Sequence, residues 1–453
     1  MDVRTNYITW KSLPLKKFKI RTFRLQCKIY KAMRNKNVQY VSKLQKILVN
    51  SFAARCTAVE ELTSRDILHK VTNEKKTEFP STTKRIEFVE GLLKKRNNPK
   101  HFPVKKILTT KLSKEKKVFQ KWKTADQIVA CVCTMALKPA QKANFYCKSY
   151  GFKTGKNQWG LQKAISIWVN TLSPSFKAKV LKIEMASCFD KINHDFLMKE
   201  LLIPQKNKSG ILQILKAGIL DKNVFNTNEQ IRKNVLKPFL GNLALHRIEN
   251  LNESKNFPKQ VLKSKYYFSK GFRYENNVVY ILEENANEDI LIGRVKNFLQ
   301  NRNLEFDITK LDITKISDGF NLLEWRFVIT PKGKLINYPN KYHWIEYKTK
   351  VKLILKNSRY KIQTRIDQVR VIVQEWHNYH QFCDMTQVKS QLYELKIWYS
   401  KYMKLYTKIP KEERILSLQR IFNNHSWVRQ TKYSFHEESL YWRKSLFKRQ
   451  RLI

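Results

Sequence analysis

Two acids six residues apart, Glu184 and Asp190, are the first place where this sequence could hold a metal. Residues 180–185 read as a short buried strand, followed by a turn and then a helix from about His194. A carboxylate held at a strand end is how polymerase-type sites bind magnesium. The same pattern also fits a core strand with one solvated acid. The surrounding elements have to decide between the two.

Charge sets the first bound. The 453 residues carry 89 Lys and Arg against 37 Asp and Glu, a net charge of +52. Such a surface repels itself unless a polyanion neutralises it. Nucleic acid is the expected partner and an anionic membrane the weaker alternative. No apolar run approaches the roughly 18 residues of a membrane span; the longest, residues 128–137, suits a buried helix. The length allows about three domains, and the hydrophobic content of 42% can fill real cores. The seven cysteines form no C-x-x-C pair and have no His at zinc spacing, so they read as reduced thiols with no metal. Abundant Lys, Asn, Ile and Phe, with only 11 Gly, match AT-rich coding and point to an organelle gene. Without an N-terminal apolar h-region, the protein is expected to be made in the organelle where it works.

The elements that must position the acids follow in order. Residues 22–35 place Leu25, Ile29, Ala32 and Met33 on one helical face, with Arg24, Lys28, Lys31 and Arg34 on the other. A second helix turns Val41, Leu44, Leu48 and Phe52 inward and Lys43 and Lys46 outward. Two basic-backed helices suit a phosphate backbone. A helix over about 84–95, a strand at 101–107, a lysine-rich hairpin tip at 111–117 and an apolar helix from Thr124 to Leu137, ending near Pro139, come next. The loop Lys148-Ser-Tyr-Gly-Phe-Lys-Thr-Gly-Lys-Asn157 offers two glycines, an aromatic, Lys153 and Lys156, all suited to a nucleic-acid strand.

These pieces, in this order, resemble the reverse transcriptase domain of group II intron-encoded maturases over about residues 10–330. Ser149-Tyr150-Gly151-Phe152 followed by Gly155 resembles that family's S-Y-G-F-R-P-G-R. Residues 188–194 resemble its C-F-D-x-I-N-H, residues 240–246 its L-A-N-I-A-L-H, and residues 298–305 its F-L-x-x-R-G-L-E. Gly319-Phe320-Asn321-Leu322-Leu323 stands where the family has G-F-x-F-L-G. The resemblance implies an α+β right hand of fingers, palm and thumb, followed by an all-helical maturase domain. The implied divisions are an N-terminal basic helical extension at 1–65, fingers and palm at 66–335, and a helical RNA-binding domain at 336–453.

The resemblance also shows what the chain lacks. The family holds two magnesium ions with one strand Asp and a Y-A-D-D hairpin. Here the strand position is Glu184, and the hairpin, residues 272–280, has Asn276 and Asn277 for the two Asp. Magnesium takes hard, mostly anionic oxygens at about 2.0–2.1 Å, and an amide offers one neutral oxygen. Glu275 is not expected to substitute, because neighbours on a strand face opposite ways. The nucleotide-facing P-Q-G-G loop has become Ile231-Arg232-Lys233-Asn234, and R-P-L-G-I-P has become residues 117–122. Left without partners, Asp190 reads as a hydrogen-bond acceptor at the helix start.

Beyond residue 345 the pattern is helical. Ile366, Val369, Val373 and Trp376 share a stripe, with Arg365 and Arg370 elsewhere; residues 376–380 resemble the G-W-x-N-Y of the maturase domain, with Glu375 for its Gly. A third helix carries Val388, Leu392, Leu395, Tyr399 and Met403. The tail interleaves aromatics with Lys444, Lys448 and Arg449. The expected protein is therefore a maturase with no catalytic residue, no metal and no cofactor. It would bind a group II-type intron RNA through Lys28, Lys31, Arg34, Lys43, Lys46, Lys153, Lys156, Arg365, Arg370, Trp376, Lys444, Lys448 and Arg449, and assist splicing. The expected site is the plastid, with the mitochondrion as alternative; a homodimer stays open. An active RNA-directed DNA polymerase with an unusual site and a ribosome-associated RNA-binding protein are the competing readings.

Overall fold

The computed structural model describes residues 10–69, 84–94, 105–110, 116–121, 124–145, 149–151, 157–171, 177–185, 192–204, 208, 211–212, 236–251, 270–304 and 311–422. Helices and sheets are mixed, an α+β arrangement. Two compact units emerge, neither continuous in sequence. The first comprises residues 1–157, 182–280 and 287–312; the second comprises 158–181, 281–286 and 313–453.

The first unit opens with α1 (Leu15–Arg34), α2 (Val38–Val49) and α3 (Phe52–His69). Asn37 starts α2, its side chain accepting from the Tyr40 amide at 3.0 Å. Asn50 ends α2, so Phe52 opens α3 instead of extending the second helix as its spacing suggested; its ring meets Phe18 edge-on. Ile29, Leu44, Leu48, Ala54 and Val59 form the core of this bundle. After α4 (Arg85–Lys94), strands β1 (Lys105–Thr110) and β2 (Lys116–Lys121) pair antiparallel, Ile107 opposite Phe119.

The apolar helix that packs on this bundle, α5 (Thr124–Asn144), runs through Pro139 instead of ending there. Proline cannot donate to the carbonyl four residues back, that of Met135. The side chain of Gln26 on α1 donates to this carbonyl at 3.0 Å, and Gln45 on α2 donates to the next, Ala136, at 3.2 Å. The missing intrahelical partner is supplied from neighbouring helices.

A five-stranded sheet has the order β3-β5-β6-β4-β7: β3 (Ser149–Tyr150), β4 (Ala178–Glu184), β5 (Lys270–Tyr274), β6 (Asn277–Glu283) and β7 (Leu311–Lys315). Helices α7 (His194–Glu200), α8 (Leu236–Ala244) and α9 (Glu288–Gln300) accompany it. In the second unit, α6 (Gln158–Asn170) adjoins an antiparallel sheet β8 (Phe320–Leu322), β9 (Trp325–Ile329) and β10 (Leu335–Pro339). Asn170 accepts from the Leu335 amide at 2.8 Å. Four helices follow: α10 (Lys341–Lys356), α11 (Ile362–Tyr379), α12 (Lys389–Tyr406) and α13 (Lys411–Phe422). Val351, Leu355, Val369, Val373, Leu395, Tyr399 and Phe422 pack between them.

Candidate nucleic-acid interface

The N-terminal helices carry the clearest charge signal. No acid occurs between Trp10 and Val59. On α1, Lys16, Lys17, Lys19, Arg21, Arg24, Lys28, Lys31 and Arg34 are all exposed, as are Lys43 and Lys46 on α2. The helical period turns the apolar stripe into the core and leaves the cations on the surface. All five of the N-terminal residues singled out from sequence therefore stand in water, where phosphates could reach them.

The strand end and the hairpin meet. Glu184 ends β4, and the amide of the following residue, Met185, donates to the Asn276 carbonyl at 3.0 Å. Glu275 and Asn276 form the tight turn between β5 and β6, so Glu275 is not in a strand as its pattern suggested. Its φ is +55°, its amide donates to the Tyr150 carbonyl at 3.3 Å, and its side chain is buried. A Cβ on Gly151, itself at φ +84°, would meet Glu275 Cγ at 2.7 Å, so this glycine admits no side chain. Burial pushes the Glu275 carboxyl up to about 7, against a hydrogen bond from Tyr274 and the charge of Arg273. Asn277 is half-buried and donates through Nδ2 to Asn276 Oδ1 at 3.2 Å. Among the described residues no group of three or more His, Cys, Asp or Glu could hold a metal. Asp190 lies outside them. At the start of α7 the side chain of Asn193 accepts from the amides of Asp195 at 2.8 Å and Phe196 at 3.1 Å.

Motifs far apart in sequence converge on two arginines. Fully buried Arg273 pairs through Nε with Glu249 Oε1 at 2.7 Å. Its Nη1 donates to Asn242 Oδ1 at 2.8 Å and to the Glu275 carbonyl at 2.9 Å, and Nη2 donates to Ser149 Oγ at 2.5 Å. Asn242 then donates to the Gly151 carbonyl at 3.2 Å, and Tyr280 donates to the Ile248 carbonyl at 2.6 Å. The Ser-Tyr-Gly loop, helix α8 and the hairpin are thus held by one guanidinium. Next to it, Gly271 brings β5 so close that a Cβ would sit 2.2 Å from the Glu249 carbonyl. The second arginine, Arg302, lies 3.5 Å over the Phe298 ring and 4.7 Å over Phe196, and its carbonyl accepts from the Asn193 amide at 3.0 Å. Sequence alone singled out neither Arg273 nor Glu249.

In the second unit, Arg370 is exposed and 3.6 Å from Asp367. Arg365 and Trp376 are placed otherwise than expected. Arg365 Nη1 donates to the Leu355 carbonyl at 2.6 Å and closes the end of α10. Trp376 is buried, its ring stacked on Tyr347 at 4.7 Å. The apolar stripe it shares with Val369 and Val373 is core, so no face is open to a base. Nearby, His380 Nε2 lies 3.9 Å from Glu324. Burial holds His380 down at about 3 and Glu324 up at about 7, so the contact is not an ion pair at neutral pH. Lys153, Lys156, Lys444, Lys448 and Arg449 lie outside the described residues.

Residues 10–92 match the family described as the N-terminal domain of reverse transcriptase. Over 377 residues the chain is 24% identical to "Maturase-like protein 1" of Euglena gracilis, covering 83% of this chain and 78% of that protein. It is 25% identical over 274 residues to "Maturase-like protein 1" of Euglena longa, covering 60% of this chain and 56% of that protein. The chain is thus similar to the N-terminal domain of reverse transcriptase near its start and to maturase-like proteins over most of its length.

Proposed function

We propose that the protein is an intron maturase that binds a group II-type intron RNA and stabilises its folded form, while the RNA performs the splicing chemistry. The acid-free, cation-lined face of α1 and α2 carries this reading. Phosphate neutralisation by such a face supplies affinity that falls steeply with salt. The polymerase chemistry of the resembled family does not fit the hairpin. A two-magnesium site needs several anionic oxygens. Here two amides bond to each other beside a single strand-end carboxylate, Glu184, and the one further acid of the turn, Glu275, is buried against Gly151. No catalytic step is assigned to the protein.

On this reading the fingers-and-palm region spans 66–335, between a basic extension at 1–65 and a helical RNA-binding domain at 336–453. An organelle, the plastid before the mitochondrion, is the proposed compartment. Two assays test the proposal together. Splicing of candidate organellar introns in vitro, at magnesium concentrations where the RNA alone is inactive, should become protein-dependent. Primer extension with magnesium or manganese should yield no cDNA. Clear cDNA synthesis, abolished by Glu184→Gln, would overturn the non-catalytic reading.

A further inference from the structure

A second basic and aromatic surface lies on the second unit. On α12, Trp398, Tyr402 and Tyr406 recur every fourth residue and therefore lie in one column, stepping about 6 Å along the helix. Their rings stack in sequence. Trp398 and Tyr402 have centroids 5.4 Å apart at 27°, and Tyr402 and Tyr406 are 5.1 Å apart at 30°. Tyr406 is 73% exposed and ends the column, with Leu405 beside it 71% exposed. On α10, Lys348, Lys352 and Lys356 recur with the same period. The two rows are adjacent: Lys352 Nζ lies 4.9 Å over the Trp398 ring, and Tyr402 Oη donates to the Leu355 carbonyl at 3.0 Å.

Both rows are stressed as they stand. A stacked column ending in an open ring leaves apolar area in water. Partial burial and repulsion from Lys348 and Lys356 hold the Lys352 ammonium below its usual range. An anion relieves the second and a flat aromatic ligand the first. Unpaired nucleic acid offers both at regular alternation, whereas a duplex hides its base faces. Glu394, one turn before Trp398, places a negative charge at one end of the column, while exposed Lys401 and Lys404 flank the other.

We propose that the Lys348–Lys352–Lys356 row and the Trp398–Tyr402–Tyr406 column form a track for single-stranded RNA, with phosphates on the lysines and a base continuing the stack on Tyr406. The choice of RNA over DNA rests on the function proposed above; the track itself rests on the two rows. Sequence preference should be weak, because every base has a face to stack.

The test uses the full chain, a labelled single-stranded oligouridine and an RNA duplex of equal length, read by fluorescence anisotropy and by ultraviolet cross-linking with peptide mapping. Tyr406→Ala should weaken single-strand binding about 5- to 150-fold, the span for losing one stacked base, and leave duplex binding within about twofold. Tyr406→Phe should keep full affinity. Lys348→Gln/Lys352→Gln/Lys356→Gln should flatten the slope of log affinity against log salt by about 2, since each lysine contributes about 0.7. Cross-links should map to the peptide bearing Tyr402 and Tyr406. Unchanged single-strand affinity in Tyr406→Ala with no cross-link there would overturn the track, as would equal loss of duplex binding. Self-association abolished by Tyr406→Ala, with RNA binding intact, would assign the face to a second copy of the chain. A wild-type chain that binds neither RNA would sink the proposed function and the track together.

Discussion

Replacing Arg273 by Met should remove the centre of the first unit while keeping its bulk. The guanidinium serves Glu249, Asn242, Ser149 and the Glu275 carbonyl. Taking it away leaves the fully buried Glu249 carboxylate without its cation. Breaking one side of such a pair costs about 3–5 kcal/mol, because the desolvation penalty of the remaining charge is no longer offset. In a unit of this size each kcal/mol moves the melting temperature by about 2–4 °C, so a fall of about 6–20 °C is expected by circular dichroism. Arg273→Lys should fall short of rescue, since an ammonium cannot match a planar fork spread over four acceptors. Arg273→Met/Glu249→Leu should regain at least about 2 kcal/mol of the loss, because the stranded charge goes too. A single-variant shift under about 2 °C, or strictly additive effects in the double variant, would refute the argument that this pair organises the unit.

Other outcomes follow from the same geometry. Glu275→Gln should stabilise the protein above pH 7 and make little difference below pH 4.5. A carboxyl raised to about 7 in the fold stabilises while protonated, and that stability is lost as pH rises through 7; paired melts at pH 4.5 and 8 read the difference. Gln26→Leu should cost about 1–3 kcal/mol in chemical denaturation, by stranding the Met135 carbonyl that Pro139 cannot serve. Lys28→Gln/Lys31→Gln/Lys43→Gln/Lys46→Gln should leave the melting temperature within about 2 °C and flatten the salt dependence of RNA binding by about 3 in log–log slope. An unchanged slope would show that the phosphates lie elsewhere.

The motifs were legible because they are local. The helix beginning at His194, the basic backs of α1 and α2 and the strand before Glu184 are short-range patterns, and each stands where the spacing put it. Pro139 was misleading for the opposite reason: whether a helix survives a proline depends on who takes the freed carbonyl, and Gln26 lies 109 residues away from it. Glu275 reads as a strand residue by alternation, but the turn takes it and Asn276 out of the strands.

Net charge, the order of the motifs and the two hairpin amides, Asn276 and Asn277, are written in the sequence, since each depends only on residue identity and spacing. Burial is not. Arg365 and Arg370 look alike in the chain, yet one closes a neighbouring helix and the other stands in solvent. Trp376 and Tyr406 are both aromatic residues on basic helices, and packing buries the first and leaves the second open. Those choices belong to the tertiary structure, because a side chain's access to solvent is set by what the rest of the fold lays against it.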